Sequence, residues 1–153
     1  MAENTVMFEN FKAMLDTDKN VVISKIGRPS VSFPSFAIYH RNKLWMVLYF
    51  QDERIDDSLH SLLKGVTFFD ENLKLLWSSG IKLMPSASTV AANGLSTIGD
   101  MIGCYGVPHA TFGAAKSALL YLSEDGNIIF VQYSGEAITD ISPVSLPKLT
   151  TIS

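Results

Sequence analysis

The strand-like segments of this chain are apolar on both parities. In 44–50, Trp45, Val47 and Tyr49 fall on one side of an extended chain, and Leu44, Met46, Leu48 and Phe50 on the other. In 127–133, Ile128 and Phe130 oppose Ile129, Val131 and Tyr133. In 73–77, Leu73, Leu75 and Trp77 oppose Lys74 and Leu76. An antiparallel sheet with one wet face alternates apolar with polar residues; these segments do not. Leaving several such side chains wet forgoes roughly 1.5–3 kcal/mol each. Helices cover one face of such a sheet. The other falls to a partner, a second copy, a small apolar ligand or the C-terminal segment, unless the strands lie inside a sandwich and are buried on both sides.

Between these segments the pattern changes to helical spacing. Met7, Phe11, Met14 and Leu15 predict a helix over 6–15, and Val22, Ile23 and Ile26 a second over 18–26. Strands follow at 35–40 and 44–51. Leu59, Leu62 and Leu63 share one helical face, so a helix is expected over 55–64, capped by Asp56 or Asp57 and stopped at Gly65. A hairpin of 66–69 and 73–78 turns around Asp70-Glu71-Asn72, and Ile81–Met84 adds to it. After Pro85 come a small-residue helix at 87–93, a helix at 97–105, and strands at 116–124 and 127–134 joined at Asp125-Gly126. Residues 137–141 suit a short strand. Two prolines in 142–153 predict a strap rather than an element.

The two halves echo one another. Thr17, Ile23, Gly27, Pro29 and Phe33 recur at one constant spacing as Ser96, Ile102, Gly106, Pro108 and Phe112. The spacing then grows, so that Tyr39 matches Tyr121 and, two residues further out of step, Val47 matches Val131. Thr17 and Ser96 are hydroxyl residues of the N-cap type. Gly27 and Gly106 suit a left-handed helix end, and the prolines that follow forbid continuation. The organisation expected is α+β: two tandem units, 1–84 and 85–153, of short helices plus antiparallel strands sharing one sheet, with helices on one face.

Glycine-proline breaks followed by a Tyr-containing hairpin with Asp125-Gly126 resemble the β-lactamase inhibitory protein fold, a tandem of helix-plus-sheet units. The same plan is similar to the outer-membrane small-protein-A lipoprotein domain. Gly106, Pro108, Tyr121, Asp125 and Gly126 carry most of the likeness. It implies one curved antiparallel sheet with helices on one face and a protein docked on the other, and it assigns no binding residue.

Composition narrows the function classes. Hydrophobic residues make up 47% of the chain and charged residues 18%, below the usual quarter. Net charge is −3 with no basic run, which argues against nucleic acid. No apolar run approaches the roughly 20 residues of a membrane helix. No signal peptide is visible in 1–12, so the sequence as written reads as cytoplasmic. Cys104 is the one cysteine and forms no internal disulfide.

Candidate chemistry is sparse. No serine sits in a nucleophile elbow. Cys104 and His109 are near in sequence, but a helix end and a Gly-x-Pro break separate them, and Cys104 reads as a small core residue. His40, His60 and His109 fall in separate elements without metal-ligand spacing. The acidic stretch 52–57 lacks a calcium-loop pattern and reads as a solvated turn. Neither a catalytic residue, a metal nor a cofactor is assigned. The function expected is a non-enzymatic protein-binding module, docking a protein partner or a second copy through the sheet face. Tyr39, Trp45, Tyr49, Phe130 and Tyr133 are its anchors, since buried aromatics dominate interface energy. The alternative is a pocket between sheet and helices for a small apolar ligand.

Overall fold

The computed structural model describes residues 2–33, 35–112 and 117–152. The chain divides into two compact units, Met1–Ile81 and Lys82–Ser153. In the first, α1 (Ala2–Ala13) and α2 (Lys19–Ile26) precede β1 (Val31–Ser32), β2 (Phe36–Arg41), β3 (Leu44–Ile55), β4 (Ser58–Asp70) and β5 (Leu75–Ser79). In the second, α3 (Ala87–Ala92) and α4 (Ile98–Tyr105) precede β6 (Ala110–Phe112), β7 (Ser117–Leu122), β8 (Asn127–Ser134), β9 (Ala137–Ser145) and α5 (Leu146–Ile152). The class is α+β, and the order helix, helix, short strand, long strands is used twice. Lys116 of the strand expected at 116–124 lies outside the described residues.

The strands form two antiparallel sheets, β1 to β5 and β6 to β9, rather than the one shared sheet expected. Sharing requires an outer strand with a long free row of amides and carbonyls. β1 is two residues long and β6 three, and β9 carries Pro143, which lacks an amide hydrogen.

Each unit buries a core between its helices and one face of its sheet. In the first, Val22 of α2 packs with Ala37, Tyr39, Met46, Leu48, Phe50, Leu63 and Phe68, and Phe8 and Phe11 of α1 join from above. Phe8 stacks on Trp77, with ring centroids 5.2 Å apart and planes 1° apart. In the second, Val90 and Met101 pack on Leu119, Tyr121, Ile129 and Val131.

Equivalent hydrogen bonds recur in the two units. The amides of Gly27 and Gly106 donate to Ile23 O and Ile102 O (2.7 and 2.8 Å), closing α2 and α4. Both glycines adopt positive φ, +100° and +91°, a region other residues enter at a cost. The hydroxyls of Tyr39 and Tyr121 donate to the carbonyls of those glycines, at 2.7 and 3.0 Å. Ser30 N and His109 N donate to Ile38 O and Leu120 O. The N-caps lie one residue later than expected: Asp18 accepts from Asn20 N at 2.9 Å and Thr97 from Asp100 N at 3.1 Å.

The strand registers correct the repeat. Tyr39 pairs with Met46, and Tyr121 with Ile129. Leu48, not Val47, therefore corresponds to Val131, and both face the helices. The step between units is one residue, not two. Asn42 and Lys43, both with positive φ, make a two-residue turn, whereas Ser123 N reaches Asn127 O across a three-residue loop with Gly126 at φ 79°. Later, bulges fall at matching places, Tyr49/Phe50 and Gln132/Tyr133.

Three expected elements differ. The helix at 55–64 is instead the far end of β3, a turn and the start of β4. The further strand at 137–141 runs on to Ser145, absorbing the first part of the strap, because proline is tolerated on an outer strand. Residues 146–152 then form α5. Ile81–Met84 adds no ladder strand. Met84 makes an isolated bridge to Ser123, its amide donating to Leu122 O at 2.9 Å.

Candidate functional site

Of the five expected anchors, three are closed off from solvent. Tyr39 is 1% exposed, Trp45 4% and Tyr49 9%. Tyr39 faces the helices, and burial pushes its phenol upward, opposed by the Arg41 guanidinium. Trp45 lies on the opposite face of the sheet, stacked on His40 with centroids 4.0 Å apart. Tyr49 shares that face beside Phe36, and burial raises its phenol against a hydrogen bond with Gln51. Phe130 and Tyr133 are half-buried on β8. Tyr133 packs against the core of its own helices. The five residues form no single patch. In the central strands of the first sheet both faces are buried: on the side away from the helices, Phe36, Ile38, Val47 and Phe69 are all at 1% exposure or less.

The feature that stands free of the sheet is the outer half of the β3–β4 hairpin. Its two strands pair from Phe50↔Leu63 out to Ile55↔Ser58. β2 leaves β3 at Tyr49, and β5 leaves β4 at Val66. Among the described residues, no other strand of the sheet flanks this ribbon from Asp52 to Ser61. Residues 51–59 are exposed on both faces, with Leu59 66% and Ile55 41% exposed. Asp56 and Asp57, at φ 50° and 66°, make the tight turn. Aspartate tolerates this left-handed region better than most residues.

The second unit shows what the hairpin is without the ribbon. Leu63 N donates to Thr17 O, and Ile138 N donates to Ser96 O, both at 2.9 Å. Bridges Asp18↔Leu62 and Thr97↔Ala137 also correspond. Outside those points the first unit has Asp52–Ser61, and the second has only Gly135–Glu136. The fold thus closes around a two-residue turn in one copy and a ribbon in the other.

The base of the ribbon is oriented by charge. Lys64 reaches Asp16 at 2.6 Å and Glu53 at 2.9 Å, and His60 reaches Asp18 at 3.4 Å. The two carboxylates push the Lys64 ammonium upward. Such solvent-facing pairs orient more than they stabilise. Towards the tip, with Glu53 paired to Lys64, Asp52, Asp56 and Asp57 outweigh Arg54, so the tip is acidic, and Ile55 and Leu59 stand on its two opposite faces.

The thiol and the imidazole considered earlier do not form a reactive pair. Cys104 is exposed on α4, not in the core as expected. His109 is 7% exposed; its Nδ1 accepts from Leu122 N at 2.8 Å, and its Nε2 lies 3.0 Å from Lys82 O. Nε2 therefore carries the proton and donates. In the first unit the matching bond runs from His40 N to the Ser30 hydroxyl. His109 does a serine's structural work with a larger ring. His60 stands on the ribbon rather than on a helix, and His40 lies exposed on β2. Among the described residues, no group of histidine, cysteine and carboxylate side chains is placed to hold a metal, and no helix is long and apolar enough to cross a membrane.

Sequence reasoning missed the ribbon because Leu59, Leu62 and Leu63 fit helical spacing. The contrary signal was the pair of aspartates flanked by strand-compatible residues. Comparison with family models, with curated proteins and with solved structures found no match to this chain.

Proposed function

We propose that this chain is a non-enzymatic protein-binding module whose contact surface is the β3–β4 ribbon. One observation carries the reading: Asp52–Ser61 is an addition that the matching hairpin does without. A two-stranded ribbon with neither edge paired gains little stability of its own. Its retention is accounted for by what it touches. The partner of this reading is a protein with a basic surface around an apolar recess that takes Leu59, the more exposed of the two apolar side chains; Ile55 lies on the other face of the ribbon. Acidic side chains at the tip also discourage edge-to-edge self-association.

The sheet-face form of the reading, with Tyr39, Trp45, Tyr49, Phe130 and Tyr133 as anchors for a partner or second copy, is weaker, since burial occupies the first three. The likeness to the β-lactamase inhibitory protein fold stays a proposal; the duplicated helix-plus-sheet order supports it.

The test replaces Asp52–Ser61 with Gly-Glu, copying the second unit. Circular dichroism should change little, and the melting temperature should stay within about 4 °C, as for a change of roughly 1 kcal/mol. Used as bait in native-host extract, the intact chain should retain a partner that the shortened chain loses. Binding should weaken with salt, because exposed opposite charges are screened. Equal capture by the two baits would refute the assignment.

A further inference from the structure

The first unit holds a cavity of about 160 Å³ between its helices and its sheet. Phe11, Leu44, Met46 and Phe68 wall it, with Met7 and Ile26 from the two helices. An apolar hole of about 150 Å³ stays dry and accepts one benzene ring, whereas drug-sized ligands need roughly 300 Å³ or more. The volume therefore suits a single ring or a short hydrocarbon chain.

The polar members of the lining narrow the choice. Arg41 and Asn42 are both exposed, and both border the cavity. Arg41 Nη1 donates to Ile26 O at 2.6 Å and Nη2 to Arg28 O at 3.1 Å. Its guanidinium carbon sits 5.0 Å from the centroid of the Tyr39 ring. The fork is thus held in place before any ligand arrives, which lowers the ordering cost of binding. A guanidinium has five N–H donors, so donors remain beyond these two bonds. Among the described residues Arg41 makes no ion pair. A fixed, unneutralised cation borders an apolar hole of one-ring size.

We propose that this cavity binds a small apolar monocarboxylate of benzoate or hexanoate size, its hydrocarbon among Phe11, Met46 and Phe68 and its carboxylate on Arg41. Charge-assisted bonds to a guanidinium are about twice as strong as neutral ones. Arg41 therefore selects the acid over a neutral ring. The site does not depend on the ribbon.

Methionine methyl groups give the readout. Met7 and Met46 line the cavity, while Met84 and Met101 sit in the core of the second unit. In protein labelled with ¹³C at the methionine methyls, sodium benzoate should shift Met7 and Met46 saturably at millimolar concentration, about −4 kcal/mol, and leave Met84 and Met101 still. Leu44→Phe, which fills the hole, should abolish the shifts in protein that circular dichroism shows to be folded. Arg41→Gln should weaken benzoate about tenfold and leave benzene unchanged. If that variant does not fold, benzoate against benzyl alcohol on the unaltered chain reads the same point, with the acid expected about tenfold tighter. Stationary Met7 and Met46 methyls up to about 20 mM benzoate would overturn the proposal, as would equal affinity for the acid and the alcohol.

Discussion

Gly80→Ala is expected to destabilise the first unit by about 4 kcal/mol, combining roughly 1–2 kcal/mol for a left-handed alanine with 1–3 kcal/mol for overpacking. Gly80 has φ +79°, and a Cβ there would stand 2.0 Å from Lys64 O, 3.1 Å from Lys64 C and 3.2 Å from Gly65 Cα. All three are backbone atoms of β4, so no side-chain rotation relieves the clash. The melting temperature should fall by about 10 °C, at a few degrees per kcal/mol for a chain of this size. Gly94→Ala is the control: φ is +65°, but nothing lies within 4 Å of its Cβ. It should cost only the roughly 1–2 kcal/mol of the backbone conformation. Urea unfolding is read by tryptophan fluorescence for the Gly80 variant, since Trp45 and Trp77 both lie in the first unit, and by far-UV circular dichroism, which also follows the second unit, for the Gly94 control. Equal losses for the two alanines would contradict the close approach at Gly80.

The second large effect is acid sensitivity through His109. Burial lowers its imidazole from 6.5 to about 4, against a smaller opposing effect of the Lys82 carbonyl. The folded state then binds its proton later than the unfolded state. Its contribution is complete above about pH 6.5 and is lost as pH falls towards 4, amounting to about 3 kcal/mol at 1.36 kcal/mol per pH unit. Protonating Nδ1 would also remove the acceptor for Leu122 N. The Tyr121 and His109 rings meet at 70° with centroids 5.7 Å apart, and Tyr121 brings no negative charge to hold a cation, its own phenol being pushed up to about 12 by burial. His109→Gln keeps an acceptor and a donor without the titration. Urea midpoints at pH 7 and 4.5 should converge more for this variant than for the parent chain. Carboxylates titrating over the same range are common to both proteins and cancel in the comparison. Parallel profiles would mean that His109 is not the acid-sensitive group.

Much of the architecture was legible because local chemistry recurs in one order. Gly27 and Gly106, with the prolines behind them, mark helix ends that the structure closes with equivalent bonds. Tyr39 and Tyr121 were matched correctly, although their hydroxyl bonds to the two glycine carbonyls were not foreseen. What failed did so where two periods compete. Leu59, Leu62 and Leu63 satisfy helical spacing, yet Leu62 and Leu63 pair across to Gln51 and Phe50. Tertiary pairing won over local periodicity there. Pro143 read as a break because its strand's position at the sheet edge is invisible in sequence. Pairing Val47 with Val131 put one of them on the wrong face, since a one-residue error in a strand reverses every side chain. The lack of alternation goes with burial on both faces in β2 and the inner part of β3, but not in 73–77, where Leu75 and Leu76 are exposed, and it does not encode what covers a face.

The matching hairpins also make the ribbon a portable part. Gly135–Glu136 occupies the seat that Asp52–Ser61 fills in the sister copy, on the same backbone bonds to the preceding helix. Grafting the longer segment there would yield a molecule with two grips in one polypeptide. Against a target displaying repeated sites, the second grip would engage at the high local concentration set by the first, and avidity could rise by about 10²–10⁴ without a single improved contact.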